Sequence, residues 1–409
     1  MPSILDYSLK ENKKTKEKTK MKKLISILLA LLLVAVSLAA FTSCASDKDD
    51  DKGEDSFKVG VIHIGDPADG SGYSYTHDLG IVEMQKTLKL KDSQIVRKIN
   101  IADNDEAAIR RSIEECVSEG CKIIFTTSYG YMDTTEALAK EYPNVIFSHG
   151  TGYKSNDKNF NNYFGRIYQA RYLAGIAAGL KTKSNKIGYV AAYGTELAET
   201  CSGINAFALG VQSVNPNAKV YVKSLNSWFD PANETAYAEA LIELGCDVIA
   251  QHCDTANPQI AAQTKGVFGC GYNSDMTKDA PKAHLTSPIW NWGVYYTAAT
   301  KAAMDGKWAE FGNYYGSLAD GLVDVSPLSE NCAENTAEYI QLVKDLFKEG
   351  TWDVFSGVKL SFKDGAIVKT DAALKDNAGN VIVAAGGASV QDSVITGTMN
   401  YFVEGVELK

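Results

Sequence analysis

The side chains best suited to chemistry in this chain are aromatics and acids placed just after apolar runs. Tyr73 and Tyr75 follow the run Phe57–Ile64, and Tyr129 and Tyr131 follow Lys122–Thr127. Trp228, Phe229 and Asp230 follow Lys219–Asn226, Asp254 follows Val248–His252, and Asn273 and Asp275 follow Val267–Gly271. Aromatic rings offer flat faces for stacking, and carboxylates and amides offer hydrogen bonds that set orientation. Together they suit the capture of a flat, neutral, hydrogen-bonding molecule, and a purine base with or without ribose is such a molecule. Signatures of bond-making chemistry are missing: the chain has no GxxxxGK[ST] loop, no GxSxG elbow and no HExxH. His252-Cys253-Asp254 are adjacent on one strand and point to alternate faces, with no second ligand pair elsewhere. Neither a metal nor a cofactor is expected.

Each of these residues also has a plainer use. Tyr73 and Tyr75 can cover their own loop. Trp228 and Phe229 can pack a hinge, and Asp230 can cap the helix that begins at Pro231. Asp254 and Asp275 each end a strand and can cap the next helix. Trp290 and Trp292 can belong to the core. Tyr73, Trp228 and Asp275 are the preferred ligand contacts, with Asp254 and Trp292 beside them.

The elements that must position these groups are repeated strand–loop–helix units. The first is Phe57–Gly80, FKVGVIHIGDPADGSGYSYTHDLG: an apolar run, a glycine-rich loop over Asp66–Thr76, and a helical pattern from about His77. Continuous apolar strands alternating with helices read as a parallel sheet, and ligands bind beyond the carboxyl ends of such strands. Further strands are expected at Gln94–Ile101, Lys122–Thr127, Val145–His149 and Asn161–Arg166, with helices at Asp105–Glu119 and Asp133–Glu141. A second set follows, with strands Lys186–Ala192, Lys219–Asn226, Val248–His252 and Val267–Gly271, and a helix over Trp290–Asp305. Two such sets predict two similar lobes. Their expected bounds are 57–165 for the N-terminal lobe and 166–288 for the C-terminal lobe. Residues 289–325 return to the N-terminal lobe and hinge, and 326–409 complete the lobes.

Residues ahead of the first strand are read as targeting. Met21-Lys22-Lys23, the apolar run Leu24–Phe41 and Thr42-Ser43-Cys44 have the order of a bacterial signal peptide. Residues 1–43 are expected to be removed, with Met21 as the true start. Cys44 becomes a lipidated N-terminus, and 44–56 an acidic tether holding the fold off the membrane. An uncleaved membrane anchor is the alternative. From Cys44 onward the chain carries 33 basic and 47 acidic residues, a net charge of −14, which argues against nucleic acid as a partner. Seven cysteines remain after Cys44, none in CxxC spacing, and most are read as small buried hydrophobes.

Several segments taken together resemble one family. They are DGSGYSYTHDLG (69–80), IFTTSYGYMDTT (124–135), FGRIYQARYLAG (164–175), GINAFALGVQSVNP (203–216), NSWFDPANE (226–234), CDVIAQHCDT (246–255), GYNSDM (271–276) and HLTSPIWNWGVYY (284–296). The chain resembles the basic membrane protein family of solute-binding lipoproteins, which serve ABC importers and bind purine nucleosides or bases. The resemblance implies a two-lobe type I periplasmic-binding-protein fold, α/β, each lobe a parallel sheet flanked by helices, the two joined by a crossover hinge. It implies capture without catalysis, by a monomer whose partners are a purine nucleoside or base, the ABC permease subunits, and the membrane through the lipid on Cys44. Carried over residue by residue, Tyr73, Tyr129, Trp228, Asp254, Asp275 and Trp292 fall on family cleft positions. Tyr73 stands where the related branch commonly has tryptophan, and Asn273 stands where relatives often read Gly-Tyr-Asp-Ser-Asp. The part after about residue 330 is longer than in the family. Two other functions compete: a sensor or importer subunit for another flat ligand such as a flavin, and a nucleoside hydrolase, which would need clustered aspartates around calcium.

Overall fold

The computed structural model describes residues 57–409. The expected leader, Cys44 and the acidic tether lie outside the described residues.

The first half alternates strand and helix: β1 (Lys58–Ile62), α1 (Gly72–Thr87), β2 (Ile95–Lys98), α2 (Glu106–Ser118), β3 (Cys121–Thr126), α3 (Met132–Glu141), β4 (Ile146–Gly150) and β5 (Phe160–Gly165). A second alternation follows: α4 (Ile167–Lys181), β6 (Lys186–Ala191), α5 (Ala198–Val214), β7 (Lys219–Ser224), α6 (Pro231–Glu243), β8 (Val248–His252), α7 (Asn257–Thr264), β9 (Phe268–Cys270) and β10 (His284–Thr286). The chain continues through β11 (Pro288–Trp290), α8 (Trp292–Met304), a short α9 (Trp308–Phe311), β12 (Tyr314–Gly316), β13 (Val323–Val325) and α10 (Thr336–Glu349). It ends with β14 (Val358–Lys363), β15 (Ala366–Asp371), β16 (Leu374–Lys375), β17 (Val381–Val383), α11 (Asp392–Gly397) and β18 (Val406–Leu408).

Two six-stranded sheets result, in the orders β12-β5-β4-β3-β1-β2 and β10-β9-β8-β6-β7-β18. Every pairing within them is parallel. Strands covered by helices on both faces need apolar side chains on both faces. Val59, Val61 and Ile62 of β1 and Ile187, Tyr189 and Val190 of β6 are accordingly buried. Strand order reverses between β1 and β3 in one sheet and between β6 and β8 in the other. At such switch points the loops part and leave a crevice at the carboxyl ends. The chain passes from one sheet to the other after β5, after β10 and after β12. Arg166 N–H donates to the Gly316 carbonyl at 2.7 Å and so ties the first passage to the third.

Two local expectations are corrected. The first helix starts at Gly72, not near His77, so Tyr73 and Tyr75 sit in its first turn rather than in a loop. The turn is completed before Gly72, by a 3-10 turn at Pro67–Asp69 capped by the Asp66 carboxylate and by Gly70 and Gly72 at positive φ. The expected helix over Trp290–Asp305 is instead β11 followed by α8. Pro288–Trp290 pairs antiparallel with Val323–Val325, which claims the backbone groups of that stretch before the helix begins. Among the described residues the seven cysteines are unpaired, and all but Cys332 are buried. Among the same residues no helix is long and apolar enough to cross a membrane.

Candidate functional site

A cavity of about 450 Å³ opens between the carboxyl ends of the two sheets, within the range of small-molecule sites. One wall comes from the first sheet: Ile64 and Tyr73 after β1, Asp103 after β2, and Ser128, Tyr129 and Gly130 after β3. The other wall comes from the second: Tyr193, Glu196 and Glu199 after β6, Trp228 after β7, Asp254 after β8 and Tyr272 after β9. The lobes touch beside it. A Cβ on Gly72 would lie 2.2 Å from the Asp254 carbonyl oxygen, and Lys278 Nζ donates to the Gly70 carbonyl at 2.6 Å.

The aromatics are held from behind. Tyr73 is half-buried, and its hydroxyl donates to the Thr127 carbonyl. Its ring stands edge-on to His77 at 4.3 Å. His77 stacks on Trp292 at 4.3 Å, and Trp292 stacks on Trp290 at 4.4 Å. This column presses α1 against α8, and Gly80 permits the approach, since a Cβ there would lie 2.6 Å from Trp292 Cβ. On the facing wall Trp228 meets Tyr193 edge-on at 5.6 Å and leans over His252 at 5.8 Å. Its carbonyl accepts the Asp254 N–H at 2.9 Å, joining two of the cavity loops.

Two acids of the cavity, Asp254 and Glu199, are poised close to neutral. Burial, reinforced by the Glu234 charge, pushes Asp254 up to about 8, against the opposing bond from Asn273 Nδ2 to Asp254 Oδ1 at 3.1 Å. Asn273 makes this bond from a left-handed backbone (φ 67°), a conformation asparagine tolerates better than most residues. Burial pushes Glu199 up to about 7, offset by the buried Arg171. His252 Nε2 lies 3.8 Å from Glu199 Oε1, but burial and Arg171 hold the imidazole well below its usual range. The two therefore do not form an ion pair at neutral pH. Such carboxyls can donate as acids or accept as anions. Among the described residues no group of three or more His, Cys, Asp or Glu is placed to hold a metal.

Of the six residues chosen from the sequence, Tyr73, Tyr129, Trp228 and Asp254 line this cavity. Asp275 does not: it is exposed, and its carboxylate caps its own turn by accepting from Thr277 N at 2.9 Å and from the Thr277 hydroxyl. The turn at Asn273 directs the chain away after Tyr272, so Tyr272 reaches the cavity in its place. Trp292 does not line it either; it is buried inside the aromatic column. Tyr193, Glu196 and Glu199 were overlooked. The strand Lys186–Ala192 also ends in a polar and aromatic stretch, YGTELAE, and the same strand-end pattern would have found it.

The structure has the two-sheet fold of solute-binding proteins of the type I periplasmic class. It superposes with a TM-score of 0.60 on an ABC transporter solute-binding protein from Aeropyrum pernix K1, at 16% identity over 75% of this chain and 94% of that one. The family described as ABC transporter substrate-binding protein PnrA-like (Bmp) matches residues 57–354, and the chain belongs to it. It is 36% identical to the purine-binding protein of Brucella abortus (strain 2308) over 87% of this chain and 94% of that one. It is also 34% identical to a putative ABC transporter glucose-binding protein of Haloferax volcanii, over 73% of each. These are solute-binding proteins and not enzymes.

Proposed function

We propose that this protein captures a purine base or nucleoside outside the cytoplasm and presents it to the permease of an ABC importer, held at the membrane through lipid on Cys44. The carrying observation is the cavity itself: aromatic rings on both walls, Tyr73 and Tyr129 facing Trp228, Tyr193 and Tyr272, with Asp254 and Glu199 among them. Rings supply stacking faces for a flat heterocycle. Near-neutral carboxyls meet the mixed donors and acceptors on its edge without burying a full charge. The name of the Brucella relative supports the same ligand class.

A thermal-shift panel on protein from Ala45 onward, unfolded and refolded to strip any ligand, tests this reading. The panel holds purine bases, purine nucleosides, pyrimidine nucleosides, riboflavin and glucose. A ligand at about a hundred times its Kd adds roughly 2.7 kcal/mol of stability, and the purines are expected to give that shift. Glucose is the second reading, favoured by the Haloferax relative; a shift with glucose alone would replace the purine. Incorporation of labelled fatty acid, lost in Cys44→Ser, tests the anchor.

A further inference from the structure

Four carboxyls line the cavity: Asp103, Glu196, Glu199 and Asp254. Three have an oxygen held by a protein donor. Asp103 Oδ2 accepts from the Ser128 hydroxyl at 2.9 Å, Glu196 Oε2 from Gly194 N at 2.8 Å, and Asp254 Oδ1 from Asn273 Nδ2 at 3.1 Å. Glu199 alone among them accepts no side-chain hydrogen bond from the described residues. His252 Nε2 lies 3.8 Å from its Oε1, beyond hydrogen-bond distance. It projects from the first turn of α5 with its side chain 19% exposed. The imidazole beside it is fully buried with neither ring nitrogen bonded, and Gly203 makes room for that ring, since a Cβ there would lie 2.9 Å from His252 Nδ1. A carboxyl with both oxygens unengaged can form a two-bond cyclic pair with a planar partner.

Resting on the purine reading above, we propose that Glu199 reads the hydrogen-bonding edge of the bound base, pairing as the acid with a 6-aminopurine and as the carboxylate with a 2-amino-6-oxopurine. An aminopurine edge offers one N–H donor beside one ring-nitrogen acceptor. The acid form matches it, its O–H donating to the ring nitrogen and its carbonyl accepting the amine. The oxopurine edge offers two N–H donors side by side, which the carboxylate matches with two acceptors. Glu199 is placed to use both forms near neutral pH, since burial holds it up to about 7. The groups within electrostatic reach of it are Arg171 from α4, His252 and Asp254 at the end of β8, Tyr73 from α1, Tyr272 after β9 and Tyr315 from β12. Arg171 favours the anion. Asp254, when ionised, favours the acid. His252 and the tyrosines stay neutral across the range concerned.

The test is calorimetric binding of adenine and guanine, with their nucleosides as a second pair, from pH 5.5 to 8.5. For the native protein the adenine affinity is expected to hold below neutrality and to fall by up to about tenfold per pH unit above it, with one proton taken up on binding at pH 8 in buffers of different ionisation enthalpy. Guanine is expected to show the opposite slope. In Glu199→Gln the amide offers a fixed donor and acceptor: adenine binding loses the fall that begins at neutrality, any change left at the top of the range belonging to Asp254, and guanine weakens more than tenfold at pH 8.5. Proton uptake on the native protein needs no variant, so a Glu199→Gln chain that failed to fold would leave the test intact. Flat native profiles without proton exchange, or a native slope retained in Glu199→Gln, overturn the proposal and leave the purine reading standing. Absence of binding by every purine at every pH, with a response to glucose or riboflavin, overturns both.

Discussion

Asp254 ties the cavity to the stability of the empty protein. In the unfolded chain this carboxyl ionises near its ordinary value of 3.8, whereas in the fold it holds its proton to about 8. Between those values the folded state binds the extra proton, so stability falls as pH rises through the window. Asp254→Asn removes this penalty while keeping an oxygen for Asn273. The variant is expected to match the native stability at pH 4 and to exceed it at pH 8.5 by on the order of 2 kcal/mol, once partial exposure to solvent is allowed for. Scanning calorimetry at the two pH values decides it. Trp228 is a separate matter, because its ring faces the ligand space. Trp228→Ala is expected to weaken purine binding by roughly 1–3 kcal/mol, or about 5- to 150-fold in Kd, with most affinity retained in Trp228→Phe; titration calorimetry measures both. The same residues show what the sequence could and could not disclose. That Tyr73, Tyr129, Trp228 and Asp254 line one cavity was legible because each follows an apolar strand closely. That Asp275 lies outside the cavity was not legible, because one left-handed residue, Asn273, turns the chain, and neither was the burial of Trp292, because a strand-end rule cannot tell a ring facing a cleft from one stacked on a neighbouring helix.

Elements buried on both faces were the easiest to read, since a continuous apolar run bounded by glycine and polar residues has few other uses. Short exposed pieces were not legible: β14 to β17 pair only as two-stranded ribbons, and their burial pattern is mixed. The family match stops at residue 354, yet the chain beyond it is built into the second sheet. β18 extends that sheet beside β7, in register Val406 to Val220. Met399, Phe402 and Val403 are buried. The anchor is Asn205 on α5, itself fully buried, whose Nδ2 donates to the Tyr401 carbonyl at 2.8 Å and whose Oδ1 accepts from Val403 N at 2.9 Å. Asn205→Ala removes both bonds and leaves the buried Val403 N–H without a partner, while the Tyr401 carbonyl keeps only the weak Cys201 thiol donor at 3.1 Å. A loss of about 1–3 kcal/mol is expected by urea unfolding. An unchanged midpoint would mean the terminal segment is held by its apolar contacts alone.

At the scale of the molecule, three chain passages join two sheets, and the question is what holds the cavity walls together. Hinge closure is a standard motion of such folds, and a ligand can shift it only by binding one arrangement better than the other. Gly72 lies where the walls meet. Its φ of 82° is a conformation that side chains rarely adopt, and a Cβ there would lie 2.2 Å from the Asp254 carbonyl oxygen. Gly72→Ala therefore carries a backbone cost of roughly 1–2 kcal/mol, together with an overlap that is relieved when the lobes separate. Neither effect touches the interior of either sheet. The expected result is an unliganded protein with a larger radius of gyration by small-angle scattering, and ligand affinity reduced by about tenfold or more, the equivalent of about 1.4 kcal/mol of closure. Ligand at saturating concentration should still draw the radius down towards the native value, because the cavity residues themselves are intact. If affinity and radius both stay native, the Gly72–Asp254 contact is relieved by a local shift of the loop, and closure is governed by the three passages between the sheets rather than by this meeting of the walls.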